Sequence, residues 1–243
     1  MDFRKNTIVN GLAYGLVTFG AIIGEVTDQH VLTYLCKPAM MVILSSWFYF
    51  NSRRVGDRFT LLIQAGLFFS LIGDIAMMVQ HLDEFNFLIG LGAFLIAQLC
   101  YTMAFAHNLA SVGGPQGVLV SVVLSVGIIA YGYFFASGLL PKVDEGIMLP
   151  VLLYAIVITL MGIGASFRFG RTYLRSFLLV FFGALLFITS DSILAINRFS
   201  RPLAHADWSV MLIYGAAQFL IALGSLRHVL DPEEIRRRAA LTT

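Results

Sequence analysis

Two aspartates lie in runs too apolar for a soluble helix, and both stand in nearly the same frame: Gly66-Leu-Phe-Phe-Ser-Leu-Ile-Gly-Asp74 and Gly183-Ala-Leu-Leu-Phe-Ile-Thr-Ser-Asp191. A carboxylate in hydrocarbon costs about 3 kcal/mol or more, so an acid kept inside a membrane marks a functional site by default. Two of them in matching frames point to a paired-carboxyl centre. Such a pair can offer one proton and one negative charge, since a close second carboxylate keeps one acid protonated. Which aspartate is the acid stays open, because a coupled pair titrates as a unit.

The elements that must hold these acids are membrane helices. Of the 243 residues, 58% are hydrophobic and 12% are charged, against about 25% charged in soluble domains. Apolar runs recur at about 20 residues, the length a bilayer-spanning helix needs. About eight are visible: Thr7–Glu25, Leu32–Phe50, Phe59–Val79, Asn86–Ala106, Gly117–Ser137, Gly146–Ser166, Tyr173–Ile196 and Trp208–Arg227. The fold expected is therefore all-α, a polytopic membrane helix bundle with residues 1–243 as a single integral membrane domain. Roughly 7–228 would be embedded and 229–243 would form a cytoplasmic tail, whose stretch Asp231 to Arg238 reads as a short basic surface helix. The first run has no small-residue cleavage site and is read as a helix, not a signal peptide.

Of the 16 Lys and Arg residues, twelve fall before span one, between spans two and three, between six and seven, and after span eight. Lys142, Arg198 and Arg201 lie on the other side, and Lys37 lies within span two. Basic loops stay in the cytoplasm, which places both termini there. The bacterial cytoplasmic membrane fits this pattern, as does the endoplasmic reticulum in a eukaryote. A chain so nearly consumed by membrane spans leaves no surface for nucleic acid.

The halves resemble each other. After the Gly-to-Asp frame comes Ala97-Gln98 in span four and Ala217-Gln218 in span eight, and Tyr34 in span two has a counterpart in Tyr154 of span six. Four spans per half would give two parallel repeats related by an axis along the membrane normal, with Asp74 and Asp191 as symmetry mates. Lys37, Asp74 and Asp191 each sit five residues from the outer end of their runs, about 8 Å deep. They are expected to meet in the bundle interior, unless Lys37 only snorkels to the surface. Gln98, Tyr101, Tyr154 and Gln218 are candidate hydrogen-bond partners or substrate ligands, with Asn197 at the outer rim. Arg198 suits a lipid phosphate, as headgroup anchor or as binding residue. Cys36 and Cys100 lie within spans and read as inert. His30, His81 and His205 fall in separate outer loops without ligand spacing, so no metal and no cofactor is expected.

From Lys37 to Gly224 the chain resembles the lysoplasmalogenase (YhhN) family of eight-span membrane proteins. The likeness rests on Lys37-Pro38 with Met41, the Gly66–Asp74 frame, Gly90-Leu-Gly-Ala-Phe94-Leu-Ile-Ala97, Tyr154 with Met161, Ser190-Asp191-Ser-Ile-Leu-Ala195-Ile-Asn-Arg198-Phe199, and Tyr214-Gly-Ala-Ala-Gln218. In one respect it departs: family members commonly carry Ala-His where this chain has Ala97-Gln98. The resemblance implies hydrolysis of the vinyl ether of lysoplasmalogens, giving a fatty aldehyde and glycerophosphoethanolamine or glycerophosphocholine, with a lysophospholipid and the surrounding membrane lipid as partners. A proton-coupled or lipid transporter would use the same intramembrane acids, and a lipid-binding scaffold would use them structurally.

Reporter fusions at Glu84 and Arg171 should mark opposite compartments, with Arg171 cytoplasmic. The same signal from both would contradict the eight-span topology.

Overall fold

The computed structural model describes residues 3–111 and 117–230, and all regular structure among them is helical. Eight long helices follow one another: α1 Thr7–Val26, α2 His30–Ser52, α3 Arg58–Met78, α4 Glu84–Ser111, α5 Val118–Leu139, α6 Glu145–Ser166, α7 Leu174–Phe199 and α8 Ala206–Val229. A short 3₁₀ turn, Leu140–Lys142, joins α5 to α6. Every one of the eight is long and apolar enough to cross a membrane, and the chain is a multi-pass membrane protein. The basic tail from Asp231 to Arg238 lies outside the described residues.

With no water to satisfy free backbone groups, a lipid-embedded segment must close its own hydrogen bonds, and a helix does so. Where ends need help, side chains supply it. Asn6 accepts from the amides of Ile8 and Val9 at 2.9 and 3.2 Å, and Asp57 accepts from Thr60 at 2.9 Å. Hydroxyls inside the spans bond back to the preceding turn, as Thr18 does to Tyr14 and Ser52 to Phe48, both at 2.8 Å. Helices α2 and α6 run unbroken through Pro38 and Pro150.

Each helix packs on its sequence neighbour in hairpins: α1 with α2, α3 with α4, α5 with α6, α7 with α8. The halves then cross, α4 against α6 and α2 against α8. One buried cluster draws residues from all eight helices. Outward faces carry lipid-compatible side chains such as Leu16, Phe68, Val123, Phe134 and Phe182. Arg168, which the sequence assigns to a surface loop, is instead fully buried just past α6. Its guanidinium lies 5.5 Å from the ring centres of Phe59 and Phe105 and donates to Ser176 at 2.8 Å. Burial pushes its pKa below the ordinary arginine value.

The Gly-to-Asp frames gain their meaning from packing. A side chain at Gly66 would strike the ring of Tyr101. One at Gly183 would sit 3.0 Å from both the Ala217 carbonyl oxygen and the Ile221 amide nitrogen. These are backbone atoms, so α8 itself would have to retreat. Gly183→Ala should therefore lower the unfolding midpoint of the detergent-purified protein, an overpacking cost of about 1–3 kcal/mol. Gly92→Ala, whose added carbon meets nothing within 4 Å, should be neutral or gain up to about 1 kcal/mol from helix propensity. Equal midpoints for the two variants would contradict this reading of the glycines.

Candidate active site

Asp191 projects from α7 toward α4 and α6. The Tyr154 hydroxyl donates to its Oδ2. Gln98 Nε2 donates to the same oxygen at 3.1 Å and to the Tyr154 hydroxyl at 2.7 Å. Both donors converge on Oδ2, which leaves Oδ1 as the oxygen suited to carry a transferable proton. Asp191 is only half-buried, because it borders a cleft between α5, α6 and α7 with a cavity volume of about 80 Å³. The walls are apolar: Ile128, Phe135, Val151, Ile158, Ile188, Ala195 and Phe199. Tyr131 reaches across from α5 to donate to Ser192 at 2.7 Å. The cleft is thus an aliphatic groove with one carboxyl in its wall.

Asp74, on α3, has a different setting. It is 2% exposed. Tyr214 of α8 donates to its Oδ2 at 2.9 Å. Behind Tyr214, Gln218 Nε2 donates to the Tyr214 oxygen at 3.2 Å and to Ser70 at 2.9 Å, while its Oε1 accepts from Tyr101 at 2.8 Å. This network ties α3, α4 and α8 together around the acid. Every polar group named in it is itself bonded, as burial requires.

The two carboxyls are close enough for their charges to interact, yet they are held by separate partners, with no hydrogen bond between them. An edge-to-face aromatic triangle links their surroundings: Phe94, Phe187 and Tyr214, with ring centres 5.6–6.5 Å apart. Phe94 lies against Gly73 and one turn before Gln98. Phe187 precedes Asp191 by one turn. The arrangement is crossed between halves: the first-half glutamine serves the second-half aspartate, and the second-half glutamine serves the network of the first.

Of the residues singled out from sequence, Tyr154 and Gln98 join Asp191, and Tyr101 and Gln218 join the Asp74 network. The rest go elsewhere. Lys37 lies near enough for its charge to act on Asp74, but makes no ion pair among the described residues. With Asn197 it lines a polar vestibule shared with Glu25, Asp28, Tyr34, His81 and Asp207, on the other face of α7 from the cleft. Asn197 also accepts from the Leu203 amide at 2.9 Å, shaping the loop after α7. Arg198 is exposed, its guanidinium 4.9 Å from the Phe87 ring centre. The common depth of the acids also changes. Helix α7 continues to Phe199, so Asp191 lies about 12 Å from its helix end and Asp74 about 6 Å from its own. Among the described residues no three His, Cys, Asp or Glu side chains form a metal-binding group.

Tyr214, Ser70, Tyr131 and Ser192 are not among the site residues that the sequence offers. Two had a signal: Tyr214 precedes Gln218 by one turn, and Ser70 precedes Asp74 by one turn, which puts each pair on one helix face. Tyr214→Phe removes the donor to a buried carboxyl, so it should cost about 1–3 kcal/mol of stability in thermal unfolding. Tyr133→Phe, at an exposed position, should cost nothing measurable. A Tyr214→Phe protein as stable as wild type would show that this bond does not hold the bundle.

A family model described as the YhhN family matches residues 32–225. The human protein named lysoplasmalogenase TMEM86B is 31% identical over 172 residues, covering 70% of this chain and 65% of that protein. The rat protein of the same name is 28% identical over 192 residues, covering 79% and 71%. The bovine lysoplasmalogenase TMEM86A is 30% identical over 183 residues, covering 72% and 69%. This chain thus spans just under two thirds of the human protein's length. No solved structure matches it. The family match runs from α2 into α8 and takes in both aspartates with the side chains that hold them: the chain belongs to the YhhN family.

Proposed function

We propose that this protein hydrolyses the vinyl ether of lysoplasmalogens, releasing a fatty aldehyde and a glycerophospho-alcohol. The observation that carries the reading is Asp191, a carboxyl set into the wall of an apolar cleft and oriented through one oxygen by Tyr154 and Gln98. The names of the relatives supply the substrate class. A lysolipid chain would lie in the groove between α5, α6 and α7 and bring its sn-1 linkage to Asp191.

The chemistry follows from that placement. A vinyl ether is weakly basic at the alkene carbon remote from oxygen. Asp191 Oδ1–H delivers its proton there, and the positive charge moves to the carbon–oxygen bond as an oxocarbenium ion. The carboxylate left behind then takes a proton from the water that adds to the carbon bonded to the ether oxygen. The resulting hemiacetal collapses to aldehyde and alcohol. A positioned acid–base group of this kind is worth about 10²–10⁴-fold. Asp74, enclosed behind the aromatic triangle, serves as a second carboxyl that stabilises the cation by its charge rather than by contact. Gln98 holds Asp191 and does not itself relay protons, which distinguishes this chain from members with histidine at that position. The membrane orientation that goes with this reading has both termini in the cytoplasm and the mouth of the cleft in the opposite leaflet.

Asp191→Asn keeps the shape of the site but has no acid to give, so aldehyde formation should fall by at least about 10²-fold. Asp74→Asn should also fall, and the double variant should be little worse than the worse single one, because residues acting as a unit are not additive. Near wild-type turnover by both single variants, in protein that extracts and elutes normally, would make the acids structural and the mechanism wrong. Dialysis against a strong chelator should leave turnover intact. Loss that zinc restores would point to a metal instead.

A further inference from the structure

The Asp191 cleft does not end in hydrocarbon. Phe135 and Leu139 of α5 line it and also line an open groove that continues to the ends of α5 and α7. The other walls of that groove include Lys142, Ile196, Ser200 and Arg201. We propose that Lys142, Ser200 and Arg201 form the site for the phosphate of a lysoglycerophospholipid whose chain occupies the cleft. This rests on the lysoplasmalogen reading for the identity of the ligand.

Three observations carry the assignment. The first is charge. The groove has two cationic side chains and no acid among its lining residues, and Arg with Lys is the natural pair for a phosphate. The vestibule on the other face of α7 sets Lys37 among Glu25, Asp28 and Asp207, a poor setting for an anion. The second is preorganisation. The 3₁₀ turn after α5 brings Lys142 to α7, where its Nζ donates to Ser200 Oγ at 2.8 Å. Hydroxyl and ammonium are thus already together at the mouth. The third is spacing. Along α7, Ile196 stands about 7.5 Å and Ser200 about 13.5 Å beyond Asp191. The groove thus begins on the outer side of Asp191, the order in which a lysolipid presents its sn-1 linkage, glycerol and phosphate. Arg198, which the sequence offers for a lipid phosphate, packs on Phe87, and Lys37 faces another cavity. With no acid in the groove, the headgroup amine has no partner there, so ethanolamine and choline lipids should bind alike.

The test is binding of two uncleavable ligands to the purified full chain in neutral detergent: a saturated 1-alkyl lysophosphatidylcholine and the matching 1-alkylglycerol. Lys142→Gln and Arg201→Gln should each weaken the phospholipid by about tenfold, the worth of one charged hydrogen bond, and leave the alkylglycerol unchanged. Arg175→Gln, in a groove formed by other helix ends, should change neither. Inorganic phosphate should displace the phospholipid only at concentrations far above it. The assignment is overturned if wild type binds the two ligands equally or neither of them. It also fails if the variants bind the phospholipid like wild type or lose both ligands together, or if inorganic phosphate competes on equal terms, which would mark a free-anion site. Aldehyde release from a lysoplasmalogen by the same preparations reports separately on the catalytic reading.

Discussion

A carboxyl group inside a membrane protein must find hydrogen-bond partners that the lipid cannot offer, and the architecture here is organised around that need. Asp191 is served from α4 and α6, and Asp74 from α8. None of these donors comes from the acid's own helix, so each aspartate fixes its helix against others. Close approach makes the bonds possible. Gly66 lets the Tyr101 ring lie against α3, and Gly183 lets α8 press its backbone onto α7. The glycine eight residues before each aspartate and the aspartate itself are thus parts of one device.

The same device separates two carboxyls that a sequence reading treats alike. One is sealed in a hydroxyl–amide network, and the other stands at the edge of an apolar groove. That asymmetry suits a reaction that begins with proton transfer to carbon and passes through a cation. The proton donor must touch the substrate, whereas the counter-charge need only be near. The triangle of Phe94, Phe187 and Tyr214 lies where the two settings meet and connects them through packed rings.

Much of this is legible in the sequence, because membrane burial writes itself into composition. Eight spans, the exceptional aspartates and the polar residues Gln98, Tyr101, Tyr154 and Gln218 stand out against hydrocarbon, whereas Tyr214, which bonds Asp74, does not. Rotation about the helix axis is harder to read. Lys37, Asp74 and Asp191 share a depth by counting, but depth says nothing of direction. Asn197 lies about 240° around α7 from Asp191 on a helix of 3.6 residues per turn, and so it faces the vestibule while Ala195 and Phe199 face the cleft. The cleft itself is invisible in the sequence, since its walls use the same Ile, Val and Phe side chains as the lipid-facing surface. The extension of α7 to Phe199 was hidden by Asn197 and Arg198, which look like the end of a span.

The central claim is that Asp191 initiates hydrolysis by protonating carbon. Its most direct test is to supply the purified protein with a lysoplasmalogen in deuterium oxide and analyse the aldehyde by mass spectrometry. The account predicts a fatty aldehyde carrying a single solvent-derived deuterium on the carbon beside the carbonyl, and none from the saturated ether lipid. No aldehyde at all, or aldehyde without that deuterium, would contradict it.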